Sequence, residues 1–251
     1  MIPTFTYFSV GKGNMALVQF PNGVNLLVDC KASSEFPTPL EYLRGKIKDL
    51  HFIVITHPHR DHITGLKDVC EHFKPKYLWH NGRYFKPDPV YDDWTYYEAL
   101  RGGKYNFCQA SAMRVGHTAT IGDAKLKVLG PTSQFLEGTA NDENNNSIVL
   151  RISAGRSSFV LTGDTQEEQW QVLNLEDLRE PTTFLASHHG RESGYSDKIK
   201  ELMRPQLVII SDGQPGEGDA TETYSKFALV KTTRERNLVV KGQGSKVEVS
   251  V

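Results

Sequence analysis

The chain has 251 residues, with 29 Lys+Arg against 30 Asp+Glu and a formal net charge of −1, which excludes a broadly basic nucleic-acid coat protein and an acidic solvating tail. Hydrophobic residues at 38% and charged residues at 24% describe a globular chain, and no apolar run reaches the roughly 20 residues of a membrane span. The opening MIPTFTYFSVGKGN lacks the cationic head and apolar stretch of a secretion signal, and Cys30, Cys70 and Cys108 cannot all pair within one chain, so a reducing, cytoplasmic setting is expected.

Short β-branched and aromatic runs bounded by Gly, Pro, Asn and Asp predict strands at Phe5–Val10, Met15–Phe20, Asn25–Cys30 and His51–Thr56. Further runs follow at Lys125–Gly130, Ser147–Ser153, Ser158–Gly163, Thr183–Ser187, Gln206–Ser211 and Val247–Val251. Hairpin turns are expected at Pro21-Asn22-Gly23 and Ala154-Gly155-Arg156. Helical periodicity marks His62 to His72, Trp94 to Leu100, Gln166 to Leu175 and Asp197 to Met203. A longer irregular stretch, Asn81 to Trp94, reads as a functional flap or an insertion, and the biased segments NDENNN (141 to 146) and GQPGEGD (213 to 219) are short. Strands joined first by hairpins and then by helices, in both halves, predict a layered α/β sandwich without a linker or repeat period.

The strongest chemical signal is His57-Pro58-His59-Arg60-Asp61-His62, between the apolar strand HFIVIT and the helical pattern ITGLKDVCEHF. Four metal-capable side chains meet at a strand-to-helix turn, which can aim His57 and His59 at one point and Asp61 and His62 at a second one nearby. Imidazole nitrogen and carboxylate oxygen are the ligands that Zn²⁺ and Mn²⁺ prefer. Asp164 follows the strand SFVLTG, and His188 and His189 follow TFLAS. These are carboxyl ends of predicted strands, where open α/β sheets present reactive groups. Taken singly, Asp164 reads as a helix N-cap and His188 as a hydrogen-bonded loop residue.

The ordered set HxHxDH, strand then Gly-Asp, strand then His resembles the metallo-β-lactamase fold superfamily of binuclear metallohydrolases. Within it, SVGKGNMALVQFPNGVNLLVDC, DHITGL, NNNSIVLRI, SFVLTGD and SHHG look most like the hydrolase domain of ComEC-type competence proteins and their stand-alone relatives. The resemblance implies one four-layer αββα domain over residues 1–251. It implies that His57 and His59 bind one divalent ion and Asp61 and His62 another, that Asp164 bridges them, and that His188 completes the second site, being closer to the strand end than His189. Asp29, in LLVDC, would orient a ligand from behind.

Several positions depart from the family pattern. Where many relatives carry a third His for the first ion, this chain has Asn144-Asn145-Asn146-Ser147, as is usual in the ComEC-like branch. An amide or water oxygen there shifts preference from Zn²⁺ toward Mn²⁺ or Mg²⁺. His80 and His117 are alternative third ligands, and both read better as structural. Gly11-Lys12-Gly13-Asn14 stands where the branch has Gly-Gln-Gly-Asp, so Lys12 could meet a phosphate oxygen. Gly218-Asp219-Ala220 stands where it has Gly-His-Pro.

Two bridged ions would share a hydroxide at neutral pH and neutralise an anionic substrate oxygen. The expected activity is therefore phosphodiester hydrolysis, of DNA or RNA first, with Asp61, His189, Lys12 and Asn144 as catalytic residues and His189 protonating the leaving group. A small-molecule phosphodiesterase, acting on a choline-phosphate ester or a cyclic nucleotide, is the competing enzyme, and a metal-retaining regulatory module the non-enzyme. Partner proteins of a larger DNA-processing or defence system are implied by the same resemblance. Tyr84, Phe85, Tyr91, Trp94, Tyr96 and Tyr97 offer base-stacking surfaces or, more simply, packing for a helix and flap.

Overall fold

A computed structural model describes residues 1–87, 89–137, 143–243 and 246–250. In the first half lie β1 (Thr4–Tyr7), β2 (Ala16–Gln19), β3 (Asn25–Val28), α1 (Pro39–Arg44), β4 (Phe52–Ile55), α2 (Arg60–Ile63), α3 (Leu66–Phe73), β5 (Tyr77–His80), α4 (Asp92–Arg101) and β6 (Gln109–Ala112). In the second lie β7 (Thr118–Ile121), β8 (Ala124–Gly130), α5 (Ser133–Glu137), β9 (Val149–Ala154), β10 (Ser157–Leu161), α6 (Glu167–Val172), β11 (Thr183–Leu185), β12 (Leu207–Ile210), α7 (Thr221–Ser225) and β13 (Leu229–Thr232). The C-terminal strands β14 (Leu238–Gln243) and β15 (Lys246–Ser250) return to the first half.

Among the described residues the strands form two sheets, ordered β15-β14-β1-β2-β3-β4-β5-β6 and β13-β12-β11-β10-β9-β8-β7. Each is antiparallel on one side and parallel on the other, with β3 to β6 and β10 to β13 the parallel parts. The period-two alternation of strand side chains divides the apolar residues between two environments. Val18, Leu26 and Val54 face Leu150, Phe159 and Ile209 in the core between the sheets. Their neighbours Leu17, Leu27, Ile53 and Ile55 point outward against Leu43, Leu66, Val69 and Tyr97 of the helices. The second sheet repeats the scheme, with Val160, Phe184 and Val208 packed on Trp170, Met203 and Tyr224. The layers are therefore α, β, β, α, as expected. Phe5 stacks on Phe159 across the middle, ring centroids 3.9 Å apart.

Both hairpins form at the expected turns, with Ala16 to Gln19 paired to Val28 to Asn25 and Ala154 paired to Ser157. The helix expected over His62 to His72 is instead divided at Thr64-Gly65. Gly65 donates to the Cys30 carbonyl at 2.8 Å, and a Cβ there would stand 2.5 Å from Pro39 Cγ, so α2 and α3 bend around the end of β3. The Gln166 to Leu175 pattern is a short α6 followed by a 3₁₀ turn at Leu175–Leu178, and Asp197 to Met203 holds a π-type turn at Ile199–Met203. Residues 81–87 and 89–91 carry no regular structure. Asn141 and Asp142 of the NDENNN run, and Val251, lie outside the described residues. No helix among the described residues is long and apolar enough to cross a membrane.

Candidate metal centre

Strands β3, β4, β10 and β11 deliver Asp29, the hexapeptide, Asp164 and the histidine pair from their carboxyl ends, and the two sheets are tied together where these segments meet. Ile148 N donates to the Thr56 carbonyl at 3.0 Å, and Asp164 N donates to Ser147 Oγ at 3.0 Å. Gly163, at φ +54°, is required here: a Cβ would lie 2.7 Å from Thr56 Oγ1 and 2.8 Å from Ser147 Oγ.

The hexapeptide begins as a continuation of β4 and turns into α2 with His59 at the N-cap. His57 is fully buried, its Nε2 3.0 Å from His59 Nδ1. Its other nitrogen, Nδ1, stands 3.1 Å from Ser147 Oγ and 3.3 Å from Thr56 Oγ1. Thr56 gives its hydroxyl proton to Asp29 at 2.9 Å, so toward His57 it can only accept. Asp29 also accepts from Thr56 N and from His62 Nδ1, each at 2.8 Å. With Nδ1–H held by Asp29, Nε2 is the His62 nitrogen that faces the site.

Ligand atoms of Asp61, His62, Asp164 and His189 all lie within 4.8 Å of one another. His62 Nε2 is 3.1 Å from Asp164 Oδ1, and His189 Nε2 is 3.3 Å from Asp61 Oδ2 and 3.4 Å from Asp164 Oδ2. Yet His62 Nε2, Asp164 Oδ1 and His189 Nε2 are buried without a well-angled hydrogen bond. Buried polar atoms left so are costly, and they converge on a common point. Two imidazoles and two carboxylates are a donor set suited to Zn²⁺ or Mn²⁺. His57 and His59 adjoin this group, with the His57 and His62 ring centroids 4.1 Å apart. Asn144 hydrogen-bonds His59 from the 3₁₀ turn Asn144–Asn146.

Charge inside the cluster is balanced by proximity. Burial works to raise Asp61 and Asp164, but the surrounding His189 and His62 outweigh it and hold both carboxyls well below the usual range. Burial disfavours a charged His62, but the Asp164 and Asp29 carboxylates raise it well above an ordinary imidazole. His189 is likewise raised to about 9 against its burial, by Asp164 and then Asp61. His57 and His59 are lowered by burial and by the neighbouring His62. A cation entering the cluster would displace protons from His62 and His189.

The histidine pair does not sit as expected. His188 and His189 both adopt left-handed backbone conformations, φ 50° and 58°. This turns His189, fully buried, into the cluster and leaves His188 at its margin, Nε2 3.9 Å from Asp164 Oδ2 and the side chain 19% exposed. His188 Nδ1 accepts from Gln166 Nε2 at 3.3 Å and contacts Ser193 Oγ at 2.7 Å. The neutral ring then carries its proton on Nε2, where a metal ligand needs a lone pair. In geometry the two histidines exchange the places expected of them.

Lys12 is exposed on its loop and close enough to His188 to add to the burial that lowers it. The loop is fixed: Asn14 N donates to the Asp61 carbonyl at 3.2 Å, Ser211 Oγ to the Gly13 carbonyl at 2.8 Å, and Gly213 packs against Gly11. Gly13 also leaves room for Lys31, whose Cγ would be 2.5 Å from a Cβ there. Lys31, half-buried beside Asp61 and Arg60, is a cation that no sequence motif singles out. Ser147 and Gln166 were equally silent, because their roles depend on which strand ends meet. His80 and His117 stand outside the cluster, each accepting a backbone N–H through Nδ1, from Gly82 and Arg114. Asp219 pairs with Arg234 at 2.5 Å and accepts from Thr221 N at 2.8 Å at the start of α7.

A family model described as the metallo-beta-lactamase superfamily matches residues 9–211. The chain is 25% identical over 177 residues to ComE operon protein 3 of Bacillus subtilis strain 168, covering 70% of this chain and 22% of that protein. It is 49% identical over 57 residues to the anti-Pycsar protein Apyc1 of Bacillus phage vB_BsuM-Goe3, covering 23% and 21%. The matches thus span about a fifth of the length of these curated relatives. Among solved structures, Igni18, a metallo hydrolase of Ignicoccus hospitalis, superposes with a TM-score of 0.62 at 16% identity, over 96% of this chain and 100% of that one. The matched span, the αββα layers and the cluster at the strand ends agree, and the chain belongs to the metallo-beta-lactamase superfamily.

Proposed function

We propose that the protein is a metal-dependent phosphodiester hydrolase acting on nucleic acid, with two divalent cations, Zn²⁺ or Mn²⁺, as cofactors. The observation that carries the reading is the convergence of Asp61, His62, Asp164 and His189 on one buried point with unsatisfied ligand atoms. These four would hold one cation, and His57 and His59, supported by Asn144, the other, with Asp164 between them. Such a pair supplies a water of lowered pKa and a counter-charge for an anionic transition state.

The remaining work falls to side chains. Asp29, Thr56 and Ser147 fix the imidazoles of His62 and His57 from behind. Lys12 and Lys31, with Arg60 on the exposed face of the hexapeptide, give the rim of the site a cationic character that the net charge of −1 conceals. That rim suits a phosphodiester better than a neutral amide or lactam. His188, partly exposed with its Nε2–H beside Asp164, is placed to donate a hydrogen bond to a substrate or leaving oxygen.

The test is a hydrolysis panel of single-stranded DNA, duplex DNA, RNA, bis(p-nitrophenyl) phosphate, cyclic dinucleotides and a chromogenic lactam, with Zn²⁺, Mn²⁺ and Mg²⁺ in parallel. Cleavage of oligonucleotides that disappears in His59→Ala is expected. Hydrolysis of the lactam alone, or oligonucleotide cleavage identical in His59→Ala, overturns the reading.

A further inference from the structure

The sequence offers six aromatic residues as stacking surfaces, and the structure disposes of most of them. Trp94, Tyr96 and Tyr97 are buried with the helices on the outer face of the first sheet. Tyr84 is 60% exposed but lies over Arg101 and against Trp94, and Tyr91 sits under Arg60 with its hydroxyl donating to the Pro58 carbonyl. Phe85 alone among these six has its ring against a side chain of the candidate centre. It meets His59 edge-on, ring centroids 5.2 Å apart at 71°, and is only partly buried.

Its position is held from several directions. Trp94 Nε1 donates to the Phe85 carbonyl at 2.8 Å, Arg101 to the Arg83 carbonyl at 2.7 Å, and Asn81 Nδ2 to the Asn146 carbonyl at 3.1 Å. The segment is thus anchored on α4 and on the Asn-rich turn, and it forms a built wall on the His59 side of the cluster. Cations flank that wall: Lys86 is exposed next in sequence, and the Arg60 guanidinium lies 5.5 Å above the Tyr91 ring. The matching ligand has an anionic group at the cluster and a flat aromatic group beside it. A base within a duplex is covered on both faces by its neighbours and has no face to offer; an unpaired base has.

We propose that Phe85 is the stacking platform for an unpaired nucleobase adjoining the scissile phosphate, which makes single-stranded nucleic acid, or a small nucleotide diester, the substrate class. The inference rests on the phosphodiester reading above and adds the base requirement to it.

Wild type, Phe85→Leu and Phe85→Trp are compared on a single-stranded oligonucleotide, its duplex, thymidylyl-thymidine and the same dinucleotide lacking its bases, with bound metal quantified in each protein. Leucine keeps apolar volume on His59 and removes the ring; tryptophan keeps a ring. Base–aromatic stacking of about 1–3 kcal/mol corresponds to a loss of about 5- to 150-fold in kcat/KM for thymidylyl-thymidine in Phe85→Leu. The base-free dinucleotide is expected to be cleaved equally poorly by wild type and Phe85→Leu. Tryptophan restores the difference, and wild type cleaves the single strand faster than the duplex. A slower thymidylyl-thymidine than oligonucleotide identifies the polymer as the substrate, and the reverse a small nucleotide. Equal loss on both dinucleotides, loss of bound metal in Phe85→Leu, or equal rates on duplex and single strand overturns the role of Phe85 while leaving phosphodiester hydrolysis intact. Absence of cleavage of every diester overturns both.

Discussion

Replacing Asp29 with asparagine tests whether the cluster is organised for a cation or is merely a polar contact between sheets. Asp29 is 1% exposed, sits at φ +56°, and accepts from Thr56 N, Thr56 Oγ1 and His62 Nδ1 at 2.8 to 2.9 Å. Asparagine tolerates the left-handed backbone and keeps one carbonyl oxygen, so the turn survives. What it loses is the charged acceptor for His62, a hydrogen bond of about 1.5–3 kcal/mol. His62 Nε2 is then no longer oriented toward the cluster, and the metal affinity is expected to fall about 10- to 100-fold, as for other residues that hold a ligand from behind. That range is about 1.4–2.7 kcal/mol, in agreement with the strength of the lost bond. Asp29→Ala differs: it adds left-handed strain of about 1–2 kcal/mol and orphans Thr56 N–H, and should lower the melting temperature of the metal-free protein as well. Calorimetric titration with Mn²⁺ and Zn²⁺, beside thermal unfolding of the metal-free proteins, separates the two effects. Unchanged metal affinity in Asp29→Asn would refute the argument that Asp29 acts through His62.

The histidine pair gives a second prediction: His189→Ala should lose bound metal by elemental analysis, whereas His188→Ala should retain it and lose turnover; metal lost only in His188→Ala would restore the assignment expected from the sequence. A third concerns His80, 7% exposed at the end of β5, which burial and then Arg101 and Arg114 push down to about 4. Its folded value lies below its unfolded one, so its contribution is complete above about pH 6.5 and is lost as the pH falls toward about 4, by up to about 3 kcal/mol. Urea unfolding across that window should show a flatter pH dependence in His80→Asn than in wild type, and equal slopes would contradict the burial argument.

The order of elements was legible wherever a local signal decided the structure. Asn22-Gly23 and Gly155-Arg156 are turn dipeptides, and strands such as Leu26 to Val28 carry apolar side chains on both faces because both faces are covered. Strands β5, β6, β7, β13 and β14 went unread. Gln109-Ala-Ser-Ala112 has no apolar pattern and is a strand because β5 offers it parallel hydrogen bonds. Helix α1 was missed for another reason, since its signal was present: Thr38 and Glu41 form a reciprocal capping box with Pro39 at the first turn, but the helix is only six residues long.

For the site, residue types and chain order sufficed to nominate the hexapeptide, Asp164 and the histidine pair, because metal ligation restricts the donor chemistry. They did not suffice to distinguish His188 from His189. Distance from the strand end is a guide only while the backbone continues extended, and here it turns left-handed at both residues. Left-handed conformations cost non-glycine residues about 1–2 kcal/mol each. The pair is held there by long-range bonds: His188 N donates to the Gly163 carbonyl at 3.1 Å, and Ser187 Oγ reaches the carbonyls of Gly163 and Thr165. The same loop that presents Asp164 therefore dictates which histidine faces it. Strain of this kind, retained at a strand end and offset by contacts to the other half of the cluster, is what turns one imidazole inward and leaves its neighbour at the rim.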